Sequence, residues 1–199
     1  MNILEEYNKR KNIIKKRLED FKNVKKEDYF YEVCFCILTP QSSAKQCWKA
    51  ILLLKENDFL NKDINPLNYL IDKIRFHINK SKYLIEFKQK WHLIQKKLDE
   101  IKNAKELREF LVKNVKGYGY KEASHFLRNI GYKNLAILDR HILKNLYRLN
   151  IINELPKTLT KKKYFEIEQK FIDFSKKVNI DMDELDLLFW SQETGEVFK

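Results

Sequence analysis

Apolar residues return at intervals of three and four in segment after segment, while the two-residue alternation of strands is nearly absent, so the chain reads as all-α. Leu4, Tyr7, Ile14, Leu18 and Phe21 share one face of a basic amphipathic helix. Tyr29 to Thr39 is almost continuously apolar and predicts a buried helix that ends before Pro40. The TPQSSAK stretch that follows reads as a loop, with Ser43 placed to cap a helix over Ala44 to Leu54. Asn65-Pro66 marks another turn, after which helical spacing resumes from Lys80 to Lys97. Asn103 with Glu106 three residues on has the form of a capping box, opening a helix with the face Leu107, Phe110, Leu111 and Val115. Lys121 to Asn129 predicts a helix stopped by Gly131, and Asp139 stands just before a helix carrying Ile142, Leu143, Leu146 and Leu149. Thr160 precedes the face Tyr164, Ile167, Phe171, Phe174 and Val178, and a last helix with Leu185, Leu188 and Phe189 runs to Gly195. The chain has no internal repeat and no low-complexity linker.

Composition narrows what such helices are for. A length of 199 residues accommodates one large domain or two small lobes with a substantial core, and 44% hydrophobic residues exclude a disordered chain. The balance of 40 Lys+Arg against 28 Asp+Glu gives +12, which attracts polyanions: DNA, RNA or an anionic membrane face. No apolar run approaches the roughly 18–20 residues that span a bilayer, and the N-terminus is charged rather than signal-like. A soluble, intracellular protein of cytoplasm or nucleoid is expected, without a membrane partner. Cys34, Cys36 and Cys47 are odd in number and lie in apolar helical surroundings, which favours reduced thiols. Neither they nor the four scattered histidines have the paired spacing of a zinc or iron–sulfur site.

Two of only four glycines fall in one turn, in Val115 to Ala123, VKGYGYKEA. Helices joined by V-K-G-Y-G form a hairpin whose glycines permit backbone angles and close approaches that side chains would block. One reading is that Gly117 and Gly119 merely let two core helices reverse direction. The other is that backbone N–H groups at the start of the second helix form a nest for one nucleic-acid phosphate, with Lys113 and Lys116 adding charge. Lys121 lies in the first turn of that helix, where the macrodipole makes an ammonium less comfortable than in water. A neutral lysine amine is a nucleophile, and a nearby base would complete its activation. By spacing alone, Lys121 reads first as a lysine that simply touches a phosphate.

V-K-G-Y-G-Y-K-E-A followed by L-D-R-H-I resembles the helix-hairpin-helix DNA glycosylase superfamily, that of endonuclease III. Its bifunctional members carry a lysine just after the hairpin and an aspartate eighteen positions later, as Lys121 and Asp139 stand here. The string GYKEASHFLRNIGY…LAILDRHIL…LPKTL, with an end shortly after LDLLFW, is similar to the archaeal-type 8-oxoguanine DNA glycosylase/AP lyases. The resemblance covers most of the chain and is densest from Phe110 to Leu159. It implies two helical lobes with an interdomain active-site cleft: a central domain over residues 28–133 with the hairpin, and a second formed by residues 1–27 and 134–199. Such enzymes act on damaged double-stranded DNA, rotating the nucleotide out of the duplex because its glycosidic carbon is out of reach inside the stack. A monomer is expected.

Carried over, the resemblance makes Lys121 the nucleophile that expels the base and remains as a Schiff base, from which β-elimination cuts the strand. Asp139 would deprotonate Lys121 and stabilise positive charge on the sugar; without the family it is an ordinary helix N-cap, and the two roles are compatible. ILTPQSSA resembles the endonuclease III loop whose glutamine enters the space left by the flipped base, which points to Gln41, although Pro40 and Ser43 depart from the commoner pattern. The hairpin residues Lys116, Gly117, Tyr118 and Gly119 would bind DNA. An aromatic sandwich for the base falls on Phe76 and Trp190, both of which helical spacing alone would assign to the core. Discrimination of the base falls on the terminal Lys199; a basic terminus is otherwise a disordered end. The superfamily's hairpin also holds a monovalent cation through main-chain carbonyls, here those of Lys113, Val115 and Tyr118. Many members have a C-terminal four-cysteine cluster, but this chain has no cysteine beyond Cys47, which excludes an iron–sulfur cofactor; no other cofactor is expected. Two alternatives stay open: the same chemistry on an oxidised pyrimidine or mismatch, and a non-catalytic helix-hairpin-helix DNA-binding module.

Overall fold

The computed structural model describes residues 3–199 and is helical, with no strand among the described residues. Among the described residues ten α-helices follow in order: α1 (Ile3–Lys22), α2 (Tyr29–Leu38), α3 (Ala44–Glu56), α4 (Leu67–Leu70), α5 (His77–Glu100), α6 (Ala104–Asn114), α7 (Tyr120–Asn129), α8 (Arg140–Arg148), α9 (Lys161–Val178) and α10 (Met182–Thr194). They fall into two compact units: Lys25–Phe126, and the described residues up to Val24 together with Leu127–Lys199. The boundaries lie at Lys25 and Phe126 rather than at 28 and 133, and the second falls inside α7.

The Lys25–Phe126 unit is built round α2, whose residues from Phe30 to Leu38 are all buried. Such a helix is apolar on every side because neighbours surround it. Phe30 stacks on Phe87 of α5 with ring centroids 5.2 Å apart and meets Trp91 edge-on at 5.5 Å. Phe35, on the opposite side of α2, meets Trp48 of α3 and His125 of α7 edge-on. The α6–α7 hairpin is tied to this core by Tyr118, whose hydroxyl donates to the Val33 carbonyl at 3.0 Å. Between the two hairpin helices lies Arg108, 1% exposed, donating to Ser124 Oγ at 3.1 Å with its guanidinium over the Tyr120 ring.

The second unit centres on α10, buried continuously from Met182 to Phe189. Phe189 stacks on Phe171 of α9 at 5.9 Å, and the Tyr7 hydroxyl of α1 donates to Glu184 at 2.7 Å. Gly131 ends α7 at φ 92, and a Cβ there would come within 3.0 Å of the Lys22 backbone, so the close passage of α1 requires glycine. Leu135 to Leu138 form a buried, non-helical run fixed by α9: Ala136 N–H donates to Glu168 at 2.9 Å, and the Tyr164 hydroxyl donates to the Ala136 carbonyl at 2.5 Å.

Two caps expected from sequence, by Asn103 and Asp139, are made by side chains, and Thr160 makes a third. Ser43 is not one of them. It occupies the N-cap place of α3, but its side chain makes no capping bond. Leu4 also departs from expectation, at 54% exposed, so α1 buries only Tyr7, Ile14 and Phe21.

Candidate active site

The hairpin turn needs its first glycine twice over. Gly117 has φ 87, and a Cβ there would lie 2.8 Å from Cδ2 of Tyr83. Gly119 is not in the left-handed region, and its Cβ position meets only the Glu122 carboxylate, at 3.2 Å. That carboxylate accepts the Gly119 N–H at 3.1 Å. Glu122 is the third residue of α7, so this is the reciprocal half of a capping box, drawn inward from the helix to its start. The Tyr118 N–H is also committed, to the Val115 carbonyl at 3.2 Å.

Two of the amides expected to face a phosphate are therefore already used, and the Tyr118 side chain is buried as an anchor. Gly117 is exposed, and the Lys121 and Glu122 N–H groups of the first helical turn have no acceptor within the helix. Lys116 is exposed with its Nζ 3.5 Å from Glu86 and 5.7 Å from the Tyr83 ring centre, so its charge is shared with α5.

The Lys121 side chain is 22% exposed, and its Nζ lies 3.4 Å from Glu122 Oε1. A second lysine is close by. Lys80 of α5 is buried, and burial pushes its ammonium down to about 8, with the charges of Lys121 and Arg75 acting in the same direction and Cys47 and Glu122 opposing them. Its Nζ donates to the carbonyls of Leu38 and Pro40, both at 2.7 Å, and to Ser42 Oγ at 2.9 Å. Burial raises the Cys47 thiol to about 11, against the pull of the Lys80 and Lys121 charges; its Sγ donates to the Leu38 carbonyl. The three cysteines are buried and form no disulfide among the described residues.

Asp139 caps α8 with one oxygen only. Oδ1 accepts from His141 N–H at 2.7 Å and Ile142 N–H at 2.8 Å, and Oδ2 has no hydrogen-bond partner among the described residues. A carboxylate held by its cap and open at its other oxygen can accept a proton or face a developing cation.

Gln41 is exposed at the tip of the α2–α3 loop with φ 54, and Phe76 is 49% exposed with φ 59, its ring 4.9 Å under the Arg75 guanidinium. Neither belongs to the core. Trp190 is half-buried, and the chain end folds back on it: the Phe198 ring lies 6.4 Å from Trp190, which brings the half-buried Lys199 to that end of α10. Among the described residues, no group of three or more His, Cys, Asp or Glu could hold a metal ion, and no helix is long and apolar enough to cross a membrane.

Residues 14–180 match the 8-oxoguanine DNA glycosylase family in its helix-hairpin-helix form. The chain belongs to this family. A Fusobacterium nucleatum relative named 8-oxoguanine DNA glycosylase/AP lyase is 49% identical over 93% of this chain and 90% of its own. A Methanocaldococcus jannaschii relative of the same name is 43% identical over 95% of this chain and 93% of its own. Among solved structures, the M. jannaschii 8-oxoguanine glycosylase/lyase in complex with a 15mer DNA containing 8-oxoguanine superimposes with a TM-score of 0.89 at 38% identity, over 100% of both chains. The Thermotoga maritima 8-oxoguanine DNA glycosylase gives 0.86 at 30% identity, over 97% of this chain and 94% of that one.

Lys80, Ser42, Glu122 and Phe198 stand beside these residues without being marked by the glycine turn or by the family resemblance. Lys80 had a signal: it lies four residues before Leu84, in register with the buried face Leu84, Phe87, Trp91 and Ile94. A lysine on an apolar stripe calls for buried acceptors. Glu122 had one too, as a glutamate three residues after a glycine at a helix start.

Proposed function

We propose that this chain is a bifunctional DNA glycosylase/AP lyase that excises 8-oxoguanine from double-stranded DNA, acting as a monomer in the cytoplasm or nucleoid. The observation that carries the reading is the presence, in a chain of this family, of a mostly buried Lys121 at the start of the hairpin helix and, eighteen positions on, of an Asp139 capped through one oxygen and open at the other. Lys121 Nζ, after giving up a proton, bonds to the anomeric carbon of the extruded nucleotide, and the bond to the base breaks. The departing base takes a proton; the sugar's C1′–O4′ bond then opens, its oxygen taking a proton, and the nitrogen remains as a Schiff base. Loss of a proton from the adjacent sugar carbon then expels the 3′ phosphate, and water releases the lysine. Asp139 Oδ2 is the proposed acceptor for the Lys121 proton and the counter-charge to the cationic sugar.

Lys116 and the amides of Gly117 and the first turn of α7 are proposed to hold a backbone phosphate, with Tyr118 and Gly119 shaping the turn. Gln41 would fill the space the nucleotide leaves. Phe76 and Trp190 would each stack on the base, and Lys199 at the folded-back terminus would discriminate 8-oxoguanine from guanine. The Val115 carbonyl accepts one N–H and retains a second lone pair, which suits the proposed monovalent cation held with the carbonyls of Lys113 and Tyr118.

The test is borohydride reduction in the presence of duplex DNA containing 8-oxoguanine. Wild-type protein should form a covalent adduct, whereas Lys121→Gln should form none while still binding the duplex. Absence of an adduct with saturating wild-type protein would favour a binding module, and adducts formed only on other lesions would move the substrate.

A further inference from the structure

Gln41 and Phe76 share an unusual condition: each is a non-glycine residue at positive φ, 54 and 59 respectively, and each is exposed. The left-handed conformation disfavours a residue with a Cβ. It persists where the surroundings over-determine the backbone, and such places cluster at functional sites. Here the two turns are joined through the Lys80 side chain and the Ser42 hydroxyl that it meets. The Lys80 ammonium spends its three hydrogens on Leu38 O, Pro40 O and Ser42 Oγ, acceptors that bracket Gln41 on both sides. Ser42 N–H closes the same turn on the Thr39 carbonyl at 3.1 Å. On the other side, the Lys80 backbone N–H donates to the Phe76 carbonyl at 3.0 Å, and Ser42 Oγ accepts the Arg75 N–H at 3.1 Å. A single lysine and a single hydroxyl therefore join the tip of the α2–α3 loop to the turn that opens α5.

Fold stability alone does not explain a lysine at this place. It occupies the apolar stripe of α5, where a charge is costly to desolvate and a hydrophobic residue of similar length would pack. What the lysine adds is direction: three donors that set three acceptors at fixed positions.

We propose that Lys80, with Ser42, is a positioning residue that holds Gln41 and Phe76 in register, so that insertion into the duplex and stacking on the extruded base occur from one preset frame. This rests on the roles given above to Gln41 and Phe76. Lys80 does not touch the sugar in this scheme. Its contribution belongs to extrusion and capture of an intact 8-oxoguanine nucleotide. An abasic nucleotide, which has no base to unstack or to rest on Phe76, depends on it far less.

The experiment compares Lys80→Met, Ser42→Ala and Ser42→Thr with wild type under single-turnover conditions on two duplexes, one containing 8-oxoguanine and one a preformed abasic site. Base excision should slow by roughly 10- to 100-fold in Lys80→Met and Ser42→Ala, the scale expected of a small misplacement. Cleavage at the abasic site should stay within about threefold of wild type, since the lysine nucleophile is not displaced. Ser42→Thr, which keeps the hydroxyl, should restore excision. A 2-aminopurine beside the lesion should brighten on binding wild-type protein and less on binding the two slow variants. If Lys80→Met does not fold, Ser42→Ala decides alone, because it removes one oxygen. Equal slowing on both duplexes with unchanged 2-aminopurine response would mean a structural role only and would overturn the proposal. Wild-type protein that acts on neither duplex would instead overturn the function beneath it.

Discussion

Replacing Gly117 by alanine should destabilise the protein far more than replacing Gly119, although both glycines belong to one five-residue turn. At Gly117 a Cβ would be held at φ 87, for which a non-glycine residue costs about 1–2 kcal/mol. The same Cβ would sit 2.8 Å from the Tyr83 ring; an aromatic ring on a packed helix moves only with its surroundings, adding about 1–2 kcal/mol of overpacking. At Gly119 neither condition holds. The backbone is in ordinary territory, and the near atom is the end of the flexible Glu122 side chain at 3.2 Å. Alanine there also narrows the unfolded ensemble, which offsets a few tenths of a kcal/mol. Urea unfolding should therefore give a loss of about 2–4 kcal/mol for Gly117→Ala, less than about 1 kcal/mol for Gly119→Ala, and an unchanged m-value in both. A cycle with Tyr83→Ala separates the two causes. The ring contact should vanish in the double variant while the φ cost remains, so the pair should couple by about 1–2 kcal/mol. Equal costs at the two glycines, or additive behaviour of Gly117 with Tyr83, would refute the reasoning.

Asp139→Asn keeps the oxygen that caps α8, so its stability should stay within about 0.5 kcal/mol of wild type while adduct formation and strand cleavage fall by roughly 10²- to 10⁴-fold; Asp139→Ala should lose a further ~1 kcal/mol of stability with the cap. Loss of stability without loss of chemistry in the asparagine variant would reduce Asp139 to a cap. Lys80 sits near 8 in the folded protein against an ordinary 10.5. The unfolded chain holds that proton more tightly, so between about pH 8 and 10.5 this group makes unfolding less favourable as pH rises. The stability of wild type relative to Lys80→Met should accordingly increase across that window by on the order of 1–3 kcal/mol, measured by denaturation at several pH values. A flat or falling difference would contradict a buried, proton-bearing Lys80.

What could be read from the chain and what could not divides along one physical line. Interactions that close within a few residues leave their mark in local spacing. The caps by Asn103, Asp139 and Thr160 each reach two or three residues forward, and the stops at Gly131 and Gly195 depend on backbone angles at one position. The apolar stretch of α2 was legible because burial on every side leaves little but Glu32 to interrupt it. The Lys121 and Asp139 interval was legible through family resemblance rather than through chemistry visible in either residue.

Interactions that close through space are another matter. Ser42 and Ser43 are adjacent and identical, yet Ser43 sits where a cap belongs and makes no capping bond, while Ser42 is committed to Lys80 and Arg75 more than thirty residues away. No local rule distinguishes them. Phe76 looked like core because an aromatic at helical spacing usually is; its left-handed backbone, set by the turn into α5, turns it outward instead. The hairpin amides show the reverse error. A glycine-rich turn suggested free N–H donors, but Glu122, chosen by the same helix start, already accepts one of them. A carboxylate on an amide that a phosphate would otherwise meet, and 3.4 Å from the Lys121 ammonium, makes the free hairpin internally neutralised. On the proposed reading, attraction for DNA then comes from exposed lysines such as Lys116 more than from the hairpin amides, whose part is fit.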